Sequence, residues 1–347
     1  MPIRQSAIVS IDIGHSSLKL TQTGTDGRIQ KFVVHRIPEG CMDELNIIAE
    51  DALIKSLKTA RQKARVSSGI CFLVLSGSDI VIRSFTLPKL SEDDLFQNIL
   101  NEMSGYLPAD TEKYSIDYKI VDTVFEEGIE MYSVLATALH KRIVSRYKRV
   151  LSAAGFRLTV VDTCENAREK LLKYNYMRDK AFNISGGICF IDIGTKNTRA
   201  SIYFNGNYFI SNIIKRSGRQ LTEVIAQASG KDILTSETLK REVDFLTQPY
   251  KNAEVKAAVT GEIDALLFEI TRLFDYYRNR TKSALHTIYL TGGGAMMPGL
   301  MEYMGRYLNI PVHLASELLP MARKGSSGDT RGFALLVNAY AATLRED

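Results

Sequence analysis

Ala7–Leu20 reads AIVSIDIGHSSLKL, and Ile188–Tyr203 reads ICFIDIGTKNTRASIY. The string Ile-Asp-Ile-Gly occurs in both, at 11–14 and again at 191–194. In each copy an apolar run leads in, a short segment rich in Ser and Thr follows, and alternation of apolar and polar side chains then resumes. That pattern predicts a strand, a tight turn and a returning strand. Two such hairpins 180 positions apart imply two domains of related topology, each opening on its hairpin.

Outward from the hairpins the pattern alternates between the two periods. Helical apolar spacing runs over Asp43–Lys63, and short strands are expected at Ile70–Leu75 and Ile80–Leu87. Ser91, with Asp94 three residues on, starts a helix that ends near Gly105. Strands at Tyr114–Val121 and Tyr132–Ala138 precede a helix at Lys141–Ala154, closed by Gly155. A strand at Leu158–Val161 and a helix at Glu165–Tyr176 follow. The second half offers helices at Leu221–Ala228, Ser236–Leu246 and Ile263–Arg278, a strand at Thr287–Leu290 and a helix at Met297–Leu308. A polar loop, Lys324–Thr330, then leads to a C-terminal helix. Alternating strands and helices with few long loops argue an α/β architecture.

Composition narrows the function classes. At 347 residues, 45% hydrophobic and 24% charged, the chain reads as a soluble globular protein of roughly two domains. No apolar run approaches the roughly 20 residues of a membrane span. The apolar stretch near the N-terminus is broken by Asp12, which argues against a secretory signal. Cys41, Cys71, Cys164 and Cys189 have no CxxC or zinc spacing and read as buried thiols of a reducing cytosol. The net charge of +5 is below a whole-domain nucleic-acid footprint, and the densest basic run, KRIVSRYKR at 141–149, reads as the solvated face of an amphipathic helix.

The turns of the hairpins suit an anion. Gly14 and Gly194 let the backbone approach a ligand, Ser16, Ser17, Thr195 and Thr198 add hydroxyl donors, and Lys19 adds a cation. Successive N–H groups in such a turn form a concavity for phosphate. Facing hairpins would clamp a polyphosphate, with Asp12 and Asp192 converging on a hydrated Mg²⁺. Thr287–Leu300, TIYLTGGGAMMPGL, adds a strand followed by Gly292, Gly293 and Gly294, a place for a planar group to lie against backbone. It is neither a Walker A loop nor a GxGxxG fingerprint.

Two phosphate hairpins followed by a late triple-glycine turn resemble the actin, Hsp70 and sugar-kinase ATPase superfamily. The middle of the chain narrows this. FTLPKLSEDDLFQNILNEMSGYLPADTEKYSIDYKI (Phe85–Ile120) and MYSVLATALHKRIVSRYKRVLSAAGFRLTVVD (Met131–Asp162) are similar to the inserted subdomain, and its exit, of the PilM family of type IV pilus assembly ATPases, relatives of the division protein FtsA. The resemblance implies an α/β, actin-like (ribonuclease H-like) two-lobed ATPase fold with an inserted small α+β subdomain. The first-lobe core would span 1–82, the insert 83–154, the rest of the first lobe 155–182, and the second lobe 183–330 with a helical subdomain around 220–280. Residues 331–347 would pack back on the first lobe as a C-terminal helix.

The same resemblance implies ATP and Mg²⁺ as cofactors. Gly14, His15, Ser16, Ser17 and Lys19, with Gly194, Thr195, Lys196, Asn197 and Gly218, would hold the nucleotide phosphates. Asp12 and Asp192 would flank the metal. Gly292, Gly293 and Gly294 would lie beside the adenosine, with Glu237 and Lys240 near adenine and ribose. Glu165 matches the connecting-helix acid that orients water or metal. The chain departs from the family pattern at His15, at Lys196-Asn197, at Asn212 and at Ser217, which points to an ATPase that is slow at most.

The implied function is a cytoplasmic scaffold, peripheral to the inner membrane, that holds the cytoplasmic N-terminal segment of a PilN-like membrane protein and meets other pilus assembly proteins. Gly77–Leu87 and Leu95–Tyr106 would supply the groove. Membrane contact is expected only through that partner, nucleic acid is not expected, and a homo-oligomer or filament is compatible with the resemblance. A sugar kinase of the same superfamily needs a second catalytic carboxylate motif that is absent here. An FtsA-like protein needs a basic amphipathic tail, and FALLVNAYAATLRED lacks one.

Overall fold

The computed structural model describes residues 8–66, 69–320 and 330–344. β1 (Ile8–Ile13), β2 (Ser17–Thr23) and β3 (Ile29–Arg36) form an antiparallel meander in which Asp12 stands opposite Lys19. A two-residue-per-arm hairpin, β4 (Met42–Asp43) and β5 (Asn46–Ile47), precedes α1 (Glu50–Ala64) and β6 (Gly69–Leu75). The helix expected from Asp43 therefore begins seven residues later. Leu45 is buried as the helical pattern demands, but Ile47 is buried in place of the expected Ile48, which is exposed, because Glu44 at φ 49° turns the chain back into the hairpin; Leu45 packs against Gly77.

β7 (Val81–Pro88), α2 (Glu92–Ser104), β8 (Tyr114–Glu126) and β9 (Ile129–His140) make a separate three-stranded sheet, ordered β7-β9-β8, with α2 across it. Ser91 caps α2 by accepting from Asp94 N–H, as the sequence signals. α3 (Lys141–Ala153), β10 (Phe156–Thr163) and α4 (Cys164–Arg178) return to the first sheet. Its order is β10-β6-β1-β2-β3, with β6 and β10 parallel to β1.

The second half repeats this topology. β11 (Gly187–Ile193), β12 (Thr198–Phe204) and β13 (Asn207–Ile214) form the meander. After α5 (Gly218–Ser229), α6 (Ile233–Glu242) and α7 (Ala253–Thr281) come β14 (Leu285–Thr291), α8 (Leu300–Leu308), β15 (Val312–Leu314) and α9 (Val337–Ala341). The order β13-β12-β11-β14-β15, with β14 and β15 parallel to β11, matches the first sheet strand for strand.

Helices of the second half also differ from the sequence reading. α7 starts at Ala253 rather than Ile263, capped by Asn252. α6 stops at Glu242, because Asp244 accepts the N–H of Leu246 and Thr247 in a side-chain turn. α8 begins at Leu300 rather than Met297, because Gly299 takes φ +75°, a conformation a side chain resists, with the Asp244 carboxylate where a Cβ would stand. Of the expected loop Lys324–Thr330, residues 324–329 lie outside those described.

Four apolar cores follow. One joins α1 and α3 to one face of the first sheet, a second fills the other half beneath α5, α7 and α8, and a third runs between the sheets through α4 and α9. The fourth is the small core of the three-stranded sheet. The four cysteines are buried and unpaired, as their spacing implied.

Candidate functional site

The two Ile-Asp-Ile-Gly hairpins close with the same turn. Gly14 N–H donates to Ser17 O at 3.0 Å, and Gly194 N–H donates to Asn197 O at 2.9 Å. The turns touch: Ser16 Oγ and Thr195 Oγ1 lie 2.7 Å apart across 179 residues. The backbone N–H groups of His15, Ser16, Thr195 and Lys196 meet no acceptor among the described residues. Unpaired amides grouped at touching turns make a cradle for an anion.

Behind the turns the two aspartates are handled differently. Asp12 has Lys19 Nζ at 3.7 Å across its own hairpin. Burial pushes the Asp12 carboxyl above its usual range; Lys19 pulls it back, and the charge of Asp192 adds to the rise. Asp192 stands opposite Arg199, but Arg199 Nη1 donates to Glu165 at 2.8 Å instead. Asp192 Oδ2 takes its bond from Arg168 Nη2 at 2.6 Å. Arg168 is fully buried on α4, and its Nε donates to Asn338 Oδ1 of α9 at 2.9 Å. Asn338 Nδ2 in turn donates to Asp192 Oδ2 at 3.5 Å. Glu165 Oε2, Arg168 Nη1 and Arg199 Nε are buried without a partner among the described residues, so this polar cluster retains unspent capacity.

On the second-sheet side, Gly218 N–H donates to Gly194 O at 2.8 Å, which ties the start of α5 to the turn. Lys240 Nζ donates to Gly218 O (2.6 Å), Thr222 Oγ1 (2.7 Å) and Glu237 Oε2 (2.6 Å). Burial works against the charge of Lys240 and lowers it, while Glu237 opposes that effect. Burial likewise opposes the Glu237 carboxylate, yet its bonds from Lys240 and Thr222 hold it below the usual range. In this conformation the pair fastens α6 to α5, and all three Lys240 donors are used.

The triple glycine divides by role. Gly292 has φ +83° and lies so close to Asp192 Oδ1 and Ile193 O that a Cβ would collide with both; Gly294 is pressed on the Ile193 side chain. Only Gly293 has open space where a side chain would stand.

A second set of bonds crosses at the mouth. Lys196 Nζ donates to Asp43 Oδ1 (2.7 Å), Asn197 Nδ2 to Glu44 Oε1 (3.2 Å) and Arg219 Nη1 to Glu39 Oε1 (2.6 Å). His15 Nε2 accepts the Glu44 N–H at 3.1 Å. Burial holds the His15 imidazole below its usual value, against the nearby Glu44.

The structure thus gathers the sequence-predicted residues into one connected region. Ser16 meets Thr195, Gly194 meets Gly218, Gly218 meets Lys240, and Asp192 meets Gly292. Glu165 joins through its ion pair with Arg199. The residues missed are Arg168, Asn338 and the acids Glu39, Asp43 and Glu44. Asn338 had a signal, as a lone polar side chain within ALLVNAYAA; Arg168 had a weaker one, since it lies among Cys164, Ala167, Leu171 and Leu172 but shares its helix with the buried Glu165 and Glu169. Of the stretches expected to supply the groove, Leu87, Leu95, Ile99 and Met103 are core and Phe85 packs partly buried against it, while Arg83 and Tyr106 are exposed, with the Arg83 guanidinium 4.7 Å from the Tyr106 ring centre.

The family model for type IV pilus assembly protein PilM matches residues 10–332. Among solved structures the chain is similar to a PilM–PilN type IV pilus biogenesis complex, with TM-score 0.82 and 19% identity, covering 99% of this chain and 100% of the other. The ethanolamine utilization protein EutJ from Carboxydothermus hydrogenoformans matches at 0.60 and 15% identity, over 99% and 91% of the two chains. MreB 5 of Spiroplasma citri bound to AMPPNP matches at 0.56 and 13%, over 97% and 95%. At such identities the likeness establishes the actin-like fold. Among the described residues no helix is long and apolar enough to cross a membrane.

Proposed function

The chain belongs to the PilM family of type IV pilus assembly proteins, and from that premise we propose that it is an ATP-binding scaffold whose nucleotide sits between the two Ile-Asp-Ile-Gly turns. The observation that carries this is the contact of Ser16 with Thr195, flanked by four backbone N–H groups without acceptors among the described residues. His15, Ser16, Thr195 and Lys196 would meet the phosphates, with Lys19 as the nearest cation. Gly293 is the open stretch of backbone for the adenosine.

The donor set suits a magnesium ion that arrives with the nucleotide. Among the described residues no three acidic, His or Cys side chains gather into a cage. Two facing carboxylates are what Mg²⁺ needs when it keeps most of its waters and binds to phosphate. The raised carboxyl of Asp12, crowded by Asp192, would be relieved by a divalent charge. When bound, the ion neutralises phosphate charge. Arg168 keeps Asp192 oriented, and Glu165, engaged by Arg199, has one oxygen left to order a water.

MreB 5 carries AMPPNP, and the PilM relative is in complex with PilN; both properties are extended here to this chain. The partner would be the cytoplasmic N-terminal segment of a PilN-like protein, received beside Arg83, Phe85 and Tyr106. The sugar-kinase and division readings gain nothing from these features.

Titration of fluorescent ATP with Mg²⁺ against wild type and Gly293→Val tests the nucleotide site. Wild type is expected to bind, and the variant, which has room for its side chain in the free protein, to lose about tenfold or more. Equal binding by both, or none by wild type, would remove the nucleotide reading. Phosphate release from wild type is expected to be slow.

A further inference from the structure

Charge is unevenly spread along this chain. Residues 50–66 and 141–157 hold eleven Lys and Arg against two acids, Glu50 and Asp51, whereas the remainder holds more acids than bases, 37 against 33. The fold lays these two segments side by side. α1 and α3 bury Leu53, Leu57 and Ala60, and Ile143, Tyr147 and Val150, in one core against the same sheet face. They are tied twice: Glu50 accepts from Arg146 Nε and Arg149 Nη2, each at 2.6 Å. Arg61 Nη1 donates to Ala154 O at 3.0 Å and Gly155 O at 3.3 Å. The helices therefore run in the same direction, and their outer faces form one layer.

The inner faces are committed to the core, so the cations stand outside. Lys55, Lys58 and Lys63 on α1, Lys148 and Arg149 on α3, and Arg157 just beyond it are exposed. Of the two acids, Glu50 is already spent on arginines, its carboxylate held below the usual range by bonds from Arg149 and Arg146. The potential reaches β3, where His35 is held below its usual value first by burial and then by Lys63. Lys148, Ser152 and Arg157 also line an open cleft of about 510 Å³ with Gly69 and Gly155.

Solvated helices ordinarily interleave both signs, because like charges a turn apart repel. Two adjacent helices that keep one sign are built for a polyanion. α1 contains no aromatic residue and the only one in α3, Tyr147, is buried, so the stacking platform used for single-stranded nucleic acid is missing. No large apolar side chain of either helix is exposed for insertion. We infer that the α1/α3 layer docks electrostatically on an anionic lipid surface, a contact made by this chain itself in addition to any made through a partner.

The test is flotation of the full chain with phosphatidylcholine vesicles, alone or mixed with phosphatidylglycerol, at low and high salt. Wild type is expected to float only with the anionic vesicles and to be released by salt. The combined variant Lys55→Glu, Lys58→Glu, Lys148→Glu and Arg157→Glu should lose about tenfold or more in the bound fraction. A control with Lys231→Glu and Lys251→Glu, exposed in the other half, should float as wild type does. Thermal melting confirms that both variants fold. Equal flotation with neutral vesicles, no flotation of wild type, or a fully bound α1/α3 variant would each overturn the inference. So would capture of RNA or DNA by this layer without vesicle binding, which would assign it to nucleic acid.

Discussion

The two copies of Ile-Asp-Ile-Gly fold into the same hairpin and place a cation opposite each aspartate, Lys19 opposite Asp12 and Arg199 opposite Asp192. The first copy keeps that pairing, loosely, at 3.7 Å. The second does not: Arg199 turns to Glu165, and Asp192 is met by the buried Arg168 of α4. An identical local motif thus acquires one carboxylate short of compensation and one firmly neutralised. The difference is set by α4 and α9, which run between the sheets, and not by the hairpins. It separates a carboxyl poised to accept a further cation from one that fastens the two halves together.

Removing each aspartate should expose this contrast most strongly. Asp192→Asn leaves Arg168 buried beside an incomplete partner and should cost about 3 kcal/mol in denaturant unfolding. Asp12→Asn should cost nothing at neutral pH. Its carboxyl is held above the ordinary 3.8, so the stabilisation linked to it is present in acid and is lost as pH rises through the raised value. The asparagine should therefore melt no lower than wild type at pH 7, and the difference should shrink on acidification. A large loss at Asp12 with none at Asp192 would reverse the assignment.

The second turn is also braced from behind in a way that the first is not. Lys240→Met, which removes three bonds at once and leaves Gly218 O and Glu237 Oε2 to share the single Thr222 hydroxyl, should cost about 2 kcal/mol. Among the described residues no side chain plays that part for the first turn, where the β4–β5 hairpin supports His15 instead.

Smaller effects are expected at the mouth. Lys196→Ala with Arg219→Ala removes the exposed Lys196–Asp43 and Arg219–Glu39 pairs, and the local Arg219–Glu223 pair with them, with little effect on stability. The first two join the two halves, so the expected readout is faster nucleotide entry and release in stopped-flow fluorescence, with a weaker salt dependence than wild type. Unchanged rates would show that these pairs do not restrain the cleft. Least of all, His15→Ala should cost under about 1 kcal/mol above pH 6.5. The imidazole accepts from Glu44 only when neutral, and its value is lowered, so its contribution is present above 6.5 and fades as pH falls through the lowered value. Titration by NMR follows this directly.

Much of the fold was legible because period-2 and period-3.6 patterns are local. β1, β2, β11 and β12, the Ser91 cap of α2 and the end of α3 at Gly155 all follow from residues within a turn of one another. The failures share a cause. Leu45 and Ile48 have helical spacing, but a hairpin buries Leu45 and Ile47 and leaves Ile48 exposed, and the start of α8 is set by Asp244, which is distant in sequence. In the candidate site, the glycines and hydroxyls were visible as a pattern. Gly292 and Gly294, however, owe their identity to close packing on Asp192 and Ile193, which no spacing reveals.

The sequence by itself determined the duplication, the two turns and their chemistry, since a repeated tetrapeptide with its flanking strands carries that information in short range. Only the tertiary structure decided which charges answer which. Arg168 reaches Asp192, Lys196 reaches Asp43, and α1 lies along α3 because packing of apolar faces brings segments up to 153 residues apart within bonding distance. Long-range pairing of charges is a consequence of that packing, and a linear pattern does not encode it.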